Sequence, residues 1–322
     1  MNYLNKLALR LGLGVGLLSL SITSAQAEQE STRLAIDQVR GSLSVMVLGS
    51  GGPVATPSGR ASAGYLIFVD GEPRILMDVG GGTFQRLAAS GTNIKDLDIV
   101  LLSHLHIDHT GDLSSAIKTI YFHNRGAGTF RTAPVRIFGP GINSATFPGT
   151  DILQYPASTE YVDGHYHMEY GLERYLNIFA TAISGGEFDY TAEDFSPDVT
   201  LPLRTILDED GLVIKTLGVI HGPVPSLAFR VEYRGQSIVY SGDTSSKTDN
   251  MIELAEDADL LIYDTAIMDD LPNGPNDGVF FLLHTTPTRI GEVAAAAQPK
   301  RLVLSHITPI TEPRLDEPLD LI

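Results

Sequence analysis

Apolar positions along this chain fall in short runs punctuated by turn residues, the pattern of a strand-rich protein with helices between strands. Residues 42–48 read as a strand ending in a glycine-rich loop that holds Gly49, Gly51 and Gly52. Residues 64–69 and 74–77 flank Asp70-Gly71-Glu72, a hairpin signal. Residues 203–207 and 212–220 flank Asp208-Glu209-Asp210-Gly211, and residues 227–233 and 237–241 flank Arg234-Gly235. Ile99-Val100-Leu101-Leu102 is too short for a core helix and rich in branched side chains, so a buried strand is predicted. Helices are predicted over 83–89, stopped at Gly91, and over 288–297 behind Pro287, with a strand at 301–304. This alternation fits two sheets packed together and covered outside by helices.

The run at 99–102 leads directly into Ser103-His104-Leu105-His106-Ile107-Asp108-His109-Thr110-Gly111-Asp112. Three histidines and a carboxylate within six positions, where a strand opens into a loop, point to a metal site. Imidazole suits zinc and its neighbours, and the added carboxylate suits a second or harder metal. Cysteine is absent, so any metal is held by histidine and carboxylate. The glycines at 49, 51 and 52 lack the Lys-Ser/Thr ending of a phosphate loop and read as a tight turn near the metal site.

The His-x-His-x-Asp-His pattern after a strand resembles the signature of the metallo-β-lactamase superfamily. Val47-Leu48-Gly49-Ser50-Gly51-Gly52-Pro53, Thr56-Pro57-Ser58-Gly59-Arg60 and Leu76-Met77-Asp78-Val79-Gly80-Gly81-Gly82-Thr83 resemble its ribonuclease Z and secreted arylsulfatase-like branch. The likeness continues in order with Val219-Ile220-His221-Gly222, Tyr240-Ser241-Gly242-Asp243-Thr244, His284-Thr285-Thr286 and Leu302-Val303-Leu304-Ser305-His306. It covers about residues 42–120 and 203–308, and implies an α/β fold, the αββα four-layer sandwich.

Carried over by that resemblance, His104, His106 and His221 would hold one zinc ion. Asp108, His109 and His306 would hold a second, with Asp243 bridging the two. Two such metals lower the pKa of a shared water to roughly 7 and neutralise transition-state charge. Asp108 is expected to orient the attacking water as well. The resemblance makes His284 a candidate general acid for the leaving oxygen, with hydrogen bonding to its neighbours as the other reading. Asp264 either orients a histidine or is a plain strand-end carboxylate.

Residues 121–195 read as an insertion holding fourteen of the twenty-four Phe and Tyr. Tyr155, Tyr161, Tyr166, Tyr170 and Tyr175 crowd its centre beside Gly185-Gly186. It could wall a pocket over the metals or form a satellite core. His165 and His167 within it are expected at the surface.

Lys6 and Arg10, the apolar stretch 11–22 and Ala25-Gln26-Ala27 read as a secretory signal peptide, residues 1–27. The expected product is a periplasmic or secreted domain, residues 28–322, without stable membrane association. The net charge is −17, and removing Lys6 and Arg10 makes it −19. Only Lys300-Arg301 is dense in cations, and one hairpin separates His221 from Asp243, where ribonuclease Z carries a long basic tRNA-gripping arm. Nucleic acid is therefore not expected as a partner. The expectation is an exported di-metal hydrolase of a small anionic ester, an aryl sulfate or phosphodiester, possible as a homo-oligomer. Cyclic-nucleotide phosphodiesterase, lactonase and β-lactamase activities, or a non-catalytic metal-binding relative, are the alternatives.

Overall fold

The computed structural model describes residues 39–321 apart from 95–96, 127–132, 168, 173, 175–188 and 272–276. The expected leader 1–27, Tyr175 and Gly185-Gly186 lie outside the described residues. No helix among the described residues is long and apolar enough to cross a membrane.

Two six-stranded mixed sheets make the centre. The first runs in order β1 (Leu43–Gly49), β2 (Gly64–Val69), β3 (Glu72–Val79), β4 (Ile99–Leu101), β5 (Val135–Pro140), β6 (Tyr190–Phe195). The second runs β12 (Leu302–Ser305), β11 (Leu260–Asp264), β10 (Gln236–Tyr240), β9 (Leu227–Tyr233), β8 (Leu212–Gly218), β7 (Arg204–Glu209). Each sheet begins as an antiparallel meander and finishes in parallel strands. Three of the hairpins use two-residue turns whose central residues both have positive φ: Asp70-Gly71, Asp210-Gly211 and Arg234-Gly235. That twist matches the twist of the flanking strands, and it explains the Asp-Gly signals in the sequence.

Between the sheets, Tyr65, Ile67, Met77, Leu101, Phe229, Val231 and Ile262 form one dry layer. A second core packs the first sheet under α1 (Thr83–Ala89), α3 (Leu113–Gly126) and α4 (Ser158–Tyr166), with Leu87, Ile117 and Val162 at its centre. A third packs the second sheet under α5 (Asn250–Ala255) and α7 (Pro287–Ala297), through Leu254, Ile290 and Val293. Helix α7 starts with Thr286 accepting a bond from the Arg289 N–H and with proline in its first turn, where a missing N–H costs nothing. The result is helix, sheet, sheet, helix, the four layers expected.

The aromatic segment 121–195 contributes β5, α4 and β6 to the first half. Tyr166 is buried in the outer core, Tyr161 and Tyr190 pack against it, and Tyr170 is exposed. These packed tyrosines serve a core rather than a pocket wall. At the end of the sandwich away from the histidines, Arg136 bridges Asp98 (2.6 Å) and Glu209 (2.7 Å), and Arg74 also meets Asp98 (3.2 Å). Glu209 closes β7, so this network ties one sheet to the other.

Candidate metal centre

All seven expected ligands lie where strands end. Strand β4 releases Ser103 and His104, and the short helix α2 (Ile107–Thr110) carries Asp108 and His109. Strands β8, β10 and β12 are followed by His221, Asp243 and His306, and Asp264 is the last residue of β11. Parallel pairing of β10, β11 and β12 brings these carboxyl ends to one edge, the usual place for a site in a layered α/β fold.

Three groups of potential ligand atoms form there, one of them Asp243, Asp264, His284 and His306. His104, His106 and His221 make another, with His221 Nε2 3.4 Å from His106 Nδ1. Asp108, His109, Asp243 and His306 make the third, across Asp243 from the three histidines. Asp243 stands between them. Its Oδ1 is 3.3 Å from His109 Nε2, and its Oδ2 is 3.0 Å from His306 Nε2 and 3.8 Å from both His104 and His221 Nε2. Asp108 Oδ2 is 3.1 Å from His306 Nε2 and 3.4 Å from His109 Nε2.

The donor set fits metal. His104 Nε2, His109 Nε2 and Asp243 Oδ1 are buried without a hydrogen-bond partner, a costly condition unless something else satisfies them. Burial, then the neighbouring His109, holds the His104 imidazole well below its ordinary pKa, and burial brings His221 down to about 3. Both rings are thus neutral, the form that binds metal. Burial alone would also lower His109, but the Asp243 and Asp78 carboxylates outweigh it and raise it well above the usual value. His306 is raised to about 10 in the same way, by Asp243 and Asp108 against burial. Burial pushes the Asp243 carboxyl up, and the His306 and His109 charges override it to hold it far down. Five imidazoles and two carboxylates this close, three of their ligand atoms buried without a partner, form a donor set suited to a metal.

Fixed partners set the ring orientations. His221 Nδ1–H donates to the Leu283 carbonyl at 2.8 Å, leaving Nε2 bare for a ligand bond. Asp78 orients His109. It is fully buried and accepts from His109 Nδ1–H (2.7 Å), Ser103 N–H (2.7 Å), Ser103 Oγ–H (2.6 Å) and Tyr240 O–H (2.8 Å). Asp78 and His306 both adopt positive φ, 52° and 57°, a backbone cost that concentrates at functional sites. Two glycines admit close approach. A Cβ on Gly80 would lie 1.9 Å from the Asp108 carbonyl, and one on Gly52 would lie 2.8 Å from His306 Cε1. The glycine-rich turn therefore backs a ligand.

His284 is buried, and its Nδ1–H donates to Asp264 Oδ2 at 2.8 Å. Its ring stacks 5.2 Å from His306 and lies 5.4 Å from His221. Asp264 also accepts from the Thr244 and Ala266 N–H groups, and its Oδ1 is 3.5 Å from His306 Nδ1. Asp264 is thus the orienting carboxylate of the two readings open in the sequence. His165 and His167 stay with Tyr161 and Tyr170 and join no group of potential ligands among the described residues. The sequence reading missed Asp78 as a site residue; its Asp-x-Gly at a strand end was the available signal.

Family models match in two stretches, the metallo-beta-lactamase superfamily over residues 58–129 and the beta-lactamase superfamily domain over residues 150–307. The ribonuclease Z of Mycolicibacterium paratuberculosis is 31% identical over 272 residues, covering 83% of this chain and 86% of that protein. The ribonuclease Z of Mycobacterium bovis is 30% identical over 278 residues, covering 85% and 89%. Among solved structures, the short form of human tRNase Z aligns with TM-score 0.59 at 24% identity, over 82% of this chain and 92% of that one. The metallo-beta-lactamase fold protein YhfI from Bacillus subtilis aligns with TM-score 0.54 at 24% identity, over 83% and 86%.

These relatives correct one expectation. Nucleic acid was excluded on net charge and on the missing basic arm, yet the relatives that span most of the chain are named for a ribonuclease. Net charge is a sum over the whole surface, whereas recognition of a phosphate is local. In the fold, Arg40 lines one cavity with Lys300 and Arg301 from a distant segment, and Lys300 is paired there with Asp259 at 2.7 Å. With the family models, the relatives across most of its length and the shared fold together, this chain belongs to the metallo-β-lactamase superfamily of metal-dependent hydrolases.

Proposed function

We propose that the chain is a phosphodiesterase holding two zinc ions, with nucleic-acid phosphodiesters within its substrate class. The carrying observation is the placement of Asp243 between two groups of ligand atoms, with the His284–Asp264 pair at their edge. His104, His106 and His221 would hold one ion, Asp108, His109 and His306 the other, and Asp243 would touch both. When bound, the ions supply Lewis acidity toward water and toward the phosphoryl oxygens.

The chain's own residues supply the rest. Asp108, mostly buried beside His306, is held as a carboxylate and can accept a proton from the attacking water. An alkoxide is a poor leaving group and needs a proton as the bond breaks. Asp264 fixes the Nδ1–H of His284, so Nε2 is the nitrogen that can carry that proton to the leaving oxygen. A phosphodiester uses this arrangement more fully than a lactone, and the relatives named ribonuclease Z favour it over the aryl sulfate.

The zinc-loaded protein is expected to hydrolyse bis(p-nitrophenyl) phosphate and a short RNA with a 3′ extension. His284→Ala should keep its metal and lose about 10²–10⁴-fold in kcat on the RNA, whose leaving group is an alkoxide, and far less on the nitrophenyl ester. Turnover of p-nitrophenyl sulfate with no activity on either diester would refute the proposal.

A further inference from the structure

Large apolar side chains stand exposed on three segments beside the metal centre, among them Ile107 (80%), Phe147 (50%), Ile152 (65%), Phe280 (37%) and Leu282 (48%). They come from three segments, and each segment is fastened to the site. Ile107 lies between the ligands His106 and Asp108. Phe280 and Leu282 belong to α6 (Phe280–Leu283), which ends at His284; its Leu282 carbonyl accepts from Gly222 N–H at 2.9 Å, one residue after His221.

Phe147 and Ile152 face each other across a hairpin, where Phe147 N–H donates to the Ile152 carbonyl at 2.9 Å beside the Thr146–Leu153 bridge. Asn143 fastens the base of that hairpin to the Pro223 carbonyl at 2.6 Å, two residues beyond His221. Single exposed apolar residues are ordinary, but a set of them on segments hydrogen-bonded to one site forms an apolar lip that marks a binding surface.

Behind the hairpin lies a cavity of about 440 Å³ that runs along the backbone on both sides of His221. Its lining mixes Ile142, Val199 and Val224 with Asn143, Ser196 and Asp198. An acyl chain has no use for those polar edges, and a further phosphate would meet the Asp198 carboxylate. A flat ring with polar edges fits both the apolar lip and this lining, since a ring face stacks on Phe while its edges find hydrogen bonds.

We propose that the lip and the cavity behind it bind the nucleobase of a phosphodiester substrate, with Phe147 and Phe280 as the residues that discriminate for it. This rests on the phosphodiesterase reading above and names the part of the substrate that the site selects.

The test is equilibrium binding to the zinc-loaded protein, which requires no turnover. AMP and ribose 5-phosphate share a sugar and a phosphate and differ in the base. AMP is expected to bind at least about tenfold more tightly, the lower end of what base–aromatic stacking supplies. Phe147→Ser and, on a separate segment, Phe280→Ser should each cut that ratio at least fivefold while retaining both metals and the wild-type circular dichroism. AMP and ribose 5-phosphate binding within threefold of each other would overturn the proposal, as would variants that leave the ratio intact. Vesicles of phosphatidylcholine form the third arm. Vesicle binding that the two variants abolish, with no AMP preference, would make the lip a lipid-facing surface and overturn the nucleobase assignment. Absence of diester hydrolysis bears on the phosphodiesterase reading alone, because the AMP ratio is read without it.

Discussion

Replacing Asp78 by Asn changes almost no volume and tests how the second group of ligands is oriented. The wild-type Oδ2 accepts three bonds, from Ser103 Oγ–H, His109 Nδ1–H and Tyr240 O–H, and Oδ1 accepts the Ser103 N–H. An asparagine keeping its oxygen on Ser103 N–H presents an NH₂ group to the other three. The two hydroxyls can rotate and accept, but the imidazole has no such freedom. Either His109 keeps its Nδ1–H against a donor, an unpaired buried group costing about 1–3 kcal/mol, or its proton moves to Nε2. Nε2 is the nitrogen 3.3 Å from Asp243 and 3.4 Å from Asp108, so in that tautomer it cannot bind metal. Both routes weaken binding in that half of the site by about 10–100-fold, which is about 1.4–2.7 kcal/mol. Zinc titration against a competing chelator reads this directly, and two-step binding should show one step displaced. Tyr240→Phe, which leaves the His109 bond in place, should weaken the same step less. An Asp78→Asn protein binding both ions with wild-type affinity would refute the orienting role of Asp78.

Gly52→Ala places a methyl 2.8 Å from His306 Cε1 and should displace that ring, with about one ion lost by elemental analysis; full metal content would show that the ring can yield without cost. Hydrogen bonds from Arg136 hold the Glu209 carboxyl below its ordinary value, so the stability it contributes is present above about pH 4.3 and is lost as pH falls through the lower, folded value. Urea midpoints between about pH 3 and pH 7 should therefore decline less on the acid side for Glu209→Gln, and parallel curves would remove Glu209 from the acid response. Native material should begin at Glu28 on N-terminal sequencing; a sequence beginning at Met1 would refute the leader reading.

The candidate ligands were legible in the sequence as a cluster because most of them follow an apolar run, and a strand end fixes where such a residue points. The Asp-Gly turns were readable for a similar local reason, since positive φ at two successive positions has a composition of its own. Asp78 escaped because its role depends on β3 lying parallel to β4, with Met77 opposite Leu101, which brings Asp78 beside Ser103. No spacing along the chain records that pairing. Strands β5 and β6 were hidden for another reason. They lie in the aromatic segment 121–195, where β6 is Tyr190–Phe195 with the polar sequence YTAEDF at the edge of its sheet, so neither an apolar run nor a tight turn announces it. The nucleic-acid exclusion failed where a local question was put to a global charge. Arg40 and Lys300 come to line one cavity only once the chain has folded.

The central claim is that seven side chains hold two ions in two distinguishable halves that share Asp243. Metal content after dialysis, measured on the wild type, His221→Ala and His306→Ala, tests it most directly. The account predicts two zinc ions per wild-type chain and one in each variant, with the remaining ion in the opposite half, so that the two variants differ in metal affinity. One ion in the wild type, or the same ion lost from both variants, would contradict it.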